Sequence, residues 1–137
     1  MTQNEQADAV AMQNFYSALN ELFTGNAQPM KDVWSHAGDI SYMGPEGAYL
    51  NGWGEIGPMW DNVAAAKLGG HVAPKKVHTV SGNGLSLITC IECGENINNG
   101  KTETVQIRSS TVFRLENDKW KVIHHQTDLL GYMNKEK

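Results

Sequence analysis

Apolar side chains recur at helical spacing in the first part of the chain. Ala11, Phe15, Ala18, Leu19 and Leu22 share one face of a helix expected over residues 5 to about 24, with Gln, Asn and Glu on the other. Gly25 supplies the stop. A short helix follows at "PMKDVW", where Pro29 suits a first turn. "DISYM" then reads as a strand, and "GPEG" breaks it. Ile56, Met59, Trp60 and Val63, with Ala66 or Lys67, give one apolar face to a second long helix, about Gly54 to Leu68, which the glycines at 69 and 70 end.

From His71 onward the pattern is that of strands. They are expected at 72–80, 85–95, 102–116 and 119–128, separated by the turn signals "SGNG", "NNG" and Asn117–Asp118. Helices gathered ahead of antiparallel strands make an α+β fold. At 137 residues the chain is read as one domain, with an ordered core from 5 to about 130. A flat strand over 102–116 would span roughly 50 Å at ~3.4 Å per residue. A domain of this length is only about 37 Å across. The strand must therefore bend, with a bulge expected between Arg108 and Arg114, and the sheet must curl around a hollow. Such hollows are where small molecules bind.

A two-residue turn at Asn117–Asp118 fixes the last register. Arg114 then meets Lys121, Phe113 meets Val122, and Thr111 meets His124. Strict alternation places His124 and Gln126 on the concave face with Phe113 and Val122, and sends His125 outward with Ile123. An inward His124 can hydrogen-bond a ligand or move a proton, since its reference pKa lies near ~6.5. It can equally be a structural donor to Thr111 or to a backbone carbonyl.

Composition removes several classes of function. The net charge is −4, without a stripe of Lys or Arg, which argues against nucleic acid. No apolar stretch approaches the roughly 20 residues that span a bilayer. The start "MTQNEQADAV" lacks the features of a secretory signal, so a cytoplasmic location is expected. Cys90 and Cys93 form a C-x-x-C spacing, but on a strand they point to opposite faces and read as buried reduced thiols. His36, His71 and His78 have no metal-ligand spacing, so no metal is expected. Phosphate-cradling and nucleophile-elbow motifs are absent, and no cofactor is expected.

Several stretches together resemble a known family. These are "GNAQPMKDVWSH", "DISYMGPEGAYLNGW", Glu92 in "LITCIE", "IRSSTVFRLENDKW" and "WKVIHHQTD", spanning about 15 to 128. They resemble the SnoaL-like branch of the nuclear-transport-factor-2-like superfamily. The closing strand is also similar to that of the association domain of calcium/calmodulin-dependent protein kinase II. The resemblance implies a cone-shaped fold: helices on the concave face of a strongly curved antiparallel sheet, a deep pocket, and a homodimer through the convex face. It also implies a histidine two residues after His124, where this chain has Gln126. Chemistries in that superfamily include isomerisation, cyclisation and dehydration, and fold alone does not choose among them.

The candidate site follows from both readings. His124 is the candidate acid/base. Tyr42 (with Tyr16 or Arg108 as substitutes) is the candidate for steadying an oxyanion. Tyr16, Trp34, Trp60, Glu92, Arg108, Thr111, Gln126 and Asp128 are the expected pocket lining. Strict alternation puts Arg108 on the wet face with Arg114; if the bulge between them turns it inward, Glu92 and Arg108 pair inside the pocket and the guanidinium is free to meet an acidic group. The alternative for that pair is a surface contact. Tyr42 and Trp34 also suit pure packing, and Asp128 suits a turn cap. The ligand expected is small, apolar or weakly acidic. Two functions stay open: an isomerase-, cyclase- or dehydratase-type enzyme acting on an apolar carbonyl compound, and a non-catalytic dimeric module that binds a ligand or a protein segment.

Overall fold

Residues 3–128 are described by the computed structural model. They run in the order α1 (Gln3–Phe23), α2 (Gln28–Val33), β1 (Ser41–Met43), β2 (Tyr49–Asn51), α3 (Trp53–Ala66), β3 (His71–Gly82), β4 (Leu85–Asn98), β5 (Lys101–Glu116) and β6 (Lys119–Thr127). The expected core reaches about 130; residues 129 and 130 lie outside the described part.

Helix α1 buries the face that its spacing predicts. Phe15, Ala18 and Leu22 are 0%, 2% and 0% exposed, which means that they are sealed in the core. Each large apolar side chain buried in this way stabilises the fold by roughly 1.5–3 kcal/mol. Helix α3 buries Ile56, Trp60 and Ala64 against the same cluster. It ends earlier than the glycines at 69 and 70, at Lys67, whose backbone turns left-handed (φ 46°) and donates to the Ala64 carbonyl.

The four long strands form a meander. Its turns at Asn83–Gly84, Asn99–Gly100 and Asn117–Asp118 all have positive φ at both residues. That is the turn geometry whose twist matches the flanking strands. The full sheet is ordered β2-β1-β6-β5-β4-β3. Two features modify the expectation. The strand β2 was not legible in the sequence, and β1 joins β6 in parallel, so the sheet is mixed.

The bends fall elsewhere than expected. Strand β5 pairs with β4 without interruption from Arg114 to Lys101, so no bulge lies between Arg108 and Arg114 on that ladder. Instead β3 is bulged between Lys75 and His78, opposite Cys90. Strand β6 is bulged at Ile123: Phe113 faces Val122, but Val112 faces His124. One extra residue on one side of a ladder increases local twist and curls the strand. At Gly94 a Cβ would stand 1.9 Å from the His71 carbonyl oxygen, so only glycine lets β3 and β4 approach there.

The bulge at Ile123 has the largest consequence for the site. It reverses the phase of β6 beyond Val122. His125, not His124, points into the cone and is 4% exposed. Thr111 consequently faces His125. His124 lies on the convex side, where its Nδ1 meets Ser41 Oγ at 2.7 Å.

Candidate functional site

The concave face of the three central strands carries a line of polar groups. By alternation β4 presents Cys90 and Glu92, β5 presents Ser109 and Thr111, and β6 presents His125 and Thr127; all of these are buried. Helix α1 lies over them. Phe15 packs its ring on His125, with centroids 4.8 Å apart. The next residue, Tyr16, donates its hydroxyl to Glu92 Oε2 at 2.8 Å and also touches Cys90 Sγ at 3.3 Å.

His125 is held on two sides. Its Nδ1 meets Thr111 Oγ1 at 2.8 Å, and its Nε2 stands 3.4 Å from Glu92 Oε2. Tyr42 is its register neighbour on β1 and stacks alongside, with centroids 6.2 Å apart at 20°. Burial pushes the Glu92 carboxyl up, but His125, Tyr16 and Ser109 outweigh it and hold the group below the usual carboxylate range. Burial, reinforced by the nearby Glu92 charge, pushes the Tyr16 phenol far up, so it stays protonated as a donor. Burial raises Tyr42 as well, with Glu92 and Glu46 adding to the effect. The outcome is a buried carboxylate and an imidazole sharing one small space.

That space is a cavity of about 80 Å³. Glu92, His125, Thr127 and Asn96 line its polar part, and Trp60, Leu22, Val72 and Ile107 are among its apolar walls. Tyr42, Pro45, Glu46, Val63 and Leu68 line it too, and they also border a groove of about 400 Å³ between α3 and the β1–β2 turn. The cavity and the groove thus adjoin on the side of Pro45 and Glu46. Two lining residues carry buried polar atoms with no hydrogen-bond partner among the described residues: Trp60 Nε1 and Thr127 Oγ1. Unpaired buried polar atoms cost free energy, and these two mark where packing around the cavity leaves polar groups unsatisfied.

Of the residues expected to line a pocket, Tyr42, Trp60 and Glu92 come together here. Tyr16 and Thr111 stand behind the lining, as partners of Glu92 and His125. Trp34 is 1% exposed and is a core residue beside Trp60 and Tyr42, with no place in the lining. His124 is a correction, and the concave cavity also excludes Arg108, Gln126 and Asp128, which line a separate depression of about 380 Å³ instead. The bulge turns His124 and Gln126 outward. Arg108 alternates with the buried Ile107 and Ser109, so it too faces out, with its side chain 79% exposed, and binds Asp128. Glu92 and Arg108 therefore lie on opposite faces and do not pair.

Sequence reasoning missed His125, Asn96 and Thr127. Asn96 was within reach, because it follows Glu92 by four residues on an alternating strand. His125 and Thr127 were not, because no Gly or Pro marks the bulge at Ile123. Cys90 is buried and Cys93 partly so, both free and on opposite faces. Among the described residues no group of His, Cys, Asp and Glu is placed to hold a metal ion. No helix among them is long and apolar enough to cross a membrane.

The SnoaL-like domain model matches residues 9–128 of the chain. No curated protein matches it in sequence. Solved structures do match it in fold. A candidate dehydratase of the NTF2-like family from Streptomyces avermitilis is 20% identical over 93% of this chain and 97% of its own, with a TM-score of 0.80. A candidate aromatic ring hydroxylase from Novosphingobium aromaticivorans is 17% identical over 95% and 92%, with a TM-score of 0.76. A candidate calcium/calmodulin-dependent protein kinase type II association domain from Thiobacillus denitrificans is 22% identical over 89% and 94%, with a TM-score of 0.74.

Proposed function

The chain belongs to the SnoaL-like family of the NTF2-like superfamily, and on that premise we propose that it binds a small, mostly apolar molecule in the concave cavity and moves a proton on it. The observation that carries this reading is the buried Glu92 carboxylate, 3.4 Å from His125 Nε2, where both line one cavity. His125 and Tyr16 keep that carboxylate ionised and oriented, so it is available to accept a proton, with the imidazole beside it to pass the proton on.

In this scheme the ligand is a carbonyl compound. The Glu92–His125 pair removes a proton beside the carbonyl and returns one at a second position. Thr111 fixes the imidazole from behind, and Tyr16 orients the carboxylate. The oxygen that gains charge is steadied by donors in the lining, for which Tyr42 and the unpartnered Trp60 Nε1 are the candidates. Isomerisation, cyclisation and dehydration all begin with such a transfer, and no cofactor enters it.

The test needs no knowledge of the natural substrate. Small cyclic ketones such as cyclohexanone and cyclohexenone are incubated with the protein in D2O, and deuterium at the α-carbon is followed by NMR. Exchange faster than in buffer, and lost in both Glu92→Gln and His125→Gln, is expected. Exchange no faster than that in buffer would count against proton transfer on these probes.

A separate observation favours a second reading, a dimeric binding module. Val80 and Leu87 face each other across β3 and β4 on the convex side, and they are 57% and 39% exposed. Val112 continues the row on β5. An apolar strip on an open sheet face suits a second copy of the chain. Light scattering behind size exclusion is expected to give a dimer for the native chain and a monomer for Leu87→Glu.

A further inference from the structure

We infer that the concave cavity selects its ligand by charge: it accepts uncharged and positively charged small molecules and rejects anions. The inference rests on the small-molecule reading above and names the class of ligand.

The titratable groups facing the cavity are Glu92, His125, Tyr42 and, at the mouth, Glu46. The adjoining groove adds Asn62 and Met59 but no cation. Among the described lining residues of both spaces there is no Lys or Arg. The basic residues that come near in sequence are turned away. Arg108 follows the lining residue Ile107 but is outward and held by Asp128. Lys67 precedes Leu68, yet its side chain lies by Gly25. Glu92 inside, joined by the exposed and partly screened Glu46 at the mouth, faces only the His125 imidazole as a possible cation, so the lining carries at most one positive charge against two negative ones.

Tyr42 and Trp60 meet edge to face, with centroids 5.1 Å apart, and add apolar area to the lining without adding a positive charge. The neutral lining groups suit an uncharged polar ligand as well. Asn96 and Thr127 are uncharged polar residues of the same lining. A carboxylate ligand would lie beside Glu92 with His125, already Glu92's partner, as its one possible counter-ion among the described lining residues. A weakly acidic ligand, expected when Arg108 was placed inside, loses its basis with that residue.

Three probes of one shape and different charge decide the matter: benzyl alcohol, benzylamine and benzoate. Each is titrated at pH 7 into the full chain, with the indole N–H resonance of Trp60 as the reporter of cavity occupancy. Benzoate is expected to bind at least tenfold more weakly than benzyl alcohol and benzylamine. Glu46→Gln, an exposed position that leaves the core untouched, is expected to narrow the gap between benzylamine and benzoate. Benzoate binding as tightly as the alcohol would overturn the charge selection while leaving the binding reading in place. If none of the three shifts the Trp60 signal at millimolar concentration, the binding reading fails and the charge inference with it.

Discussion

His125 Nε2 stands 3.4 Å from Glu92 Oε2, and the two side chains are only 5% and 6% exposed. They come from β6 and β4, with β5 between them, so the pair spans the middle of the curved sheet. A buried carboxylate is tolerated when it is paired and hydrogen-bonded, and it becomes costly when its partner is removed. His125→Ala strips Glu92 of that partner, leaves Thr111 Oγ1 unpaired and opens a gap under Phe15. It is expected to cost about 3 kcal/mol. His124→Ala loses one hydrogen bond, to Ser41, on the partly exposed convex side, and is expected to cost about 1 kcal/mol. Chemical denaturation of the two variants gives the comparison; equal losses would mean that the inward assignment of His125 is wrong.

The depressed Glu92 carboxyl makes a signed prediction about pH. Its folded pKa lies below its unfolded value, so the group contributes stability above the ordinary carboxylate pKa. That contribution is lost as the pH falls through the lower, folded pKa. Asp39, Glu116 and Asp128 are depressed as well, so the native protein alone does not isolate Glu92. The difference between native protein and Glu92→Gln does. Denaturation midpoints taken from neutral pH down through the carboxylate range are expected to fall more steeply for the native chain. Parallel curves would show that Glu92 is not held ionised by its neighbours.

Much of this architecture is written locally, and the part that is not explains the error at the histidines. Ala11, Phe15, Ala18 and Leu22 announce α1, and Asn117–Asp118 announces the last turn. The pairings Phe113–Val122 and Arg114–Lys121 follow from that turn alone and stand in the structure. The inward Glu92 follows from alternation along β4. Beyond Val122 local rules stop working. Ile123 is β-branched and suits a regular strand, yet it is the extra residue. What selects the bulge is non-local: the twist needed to close the sheet over α1, and the parallel pairing of β6 with β1, whose partners lie 83 residues apart in the chain (Ser41 beside His124). Arg108 turns on the same point: alternation alone keeps it outward, and only a bulge on β5 would have turned it in. A bend was correctly demanded by the length of β5, but the ladders absorb it on β3 and β6, which leaves Arg108 in phase with the outer face.

Arg114 ties the end of β5 to the segment that enters β1. Its guanidinium reaches Asp39 at 2.7 Å and Glu116 at 2.7 Å, and Glu116 in turn accepts from Ser35 Oγ at 2.8 Å. The Arg114 side chain is 27% exposed, so water screens the network in part. Arg114→Met is expected to cost about 1 kcal/mol, at the upper end for an exposed pair because several groups share it. The loss is expected to shrink in high salt, as screening weakens the native network. Denaturation at low and high ionic strength checks both points, and a loss that grew with salt would contradict an electrostatic origin.

Gly44 sets the position of the cavity's outer aromatic wall. It follows Tyr42 by two residues on the same side of the chain, and the phenol ring lies over it. A Cβ at Gly44 would stand 2.6 Å from the Tyr42 hydroxyl and 2.7 Å from a ring carbon. The ring has little room to retreat, since Trp60 and Trp34 pack against it with centroids 5.1 and 6.3 Å away. Gly44→Ala therefore forces the phenol toward the mouth between Pro45 and Val63. Overpacking of this kind costs roughly 1–3 kcal/mol. The effect on binding is separable from that loss, because the variant moves a lining residue without touching Glu92 or His125. Benzyl alcohol is expected to bind several-fold more weakly to the folded variant, while the depression of the Glu92 pKa persists. If Gly44→Ala binds the alcohol as the native chain does, the Tyr42 ring is not part of the wall that contacts the ligand.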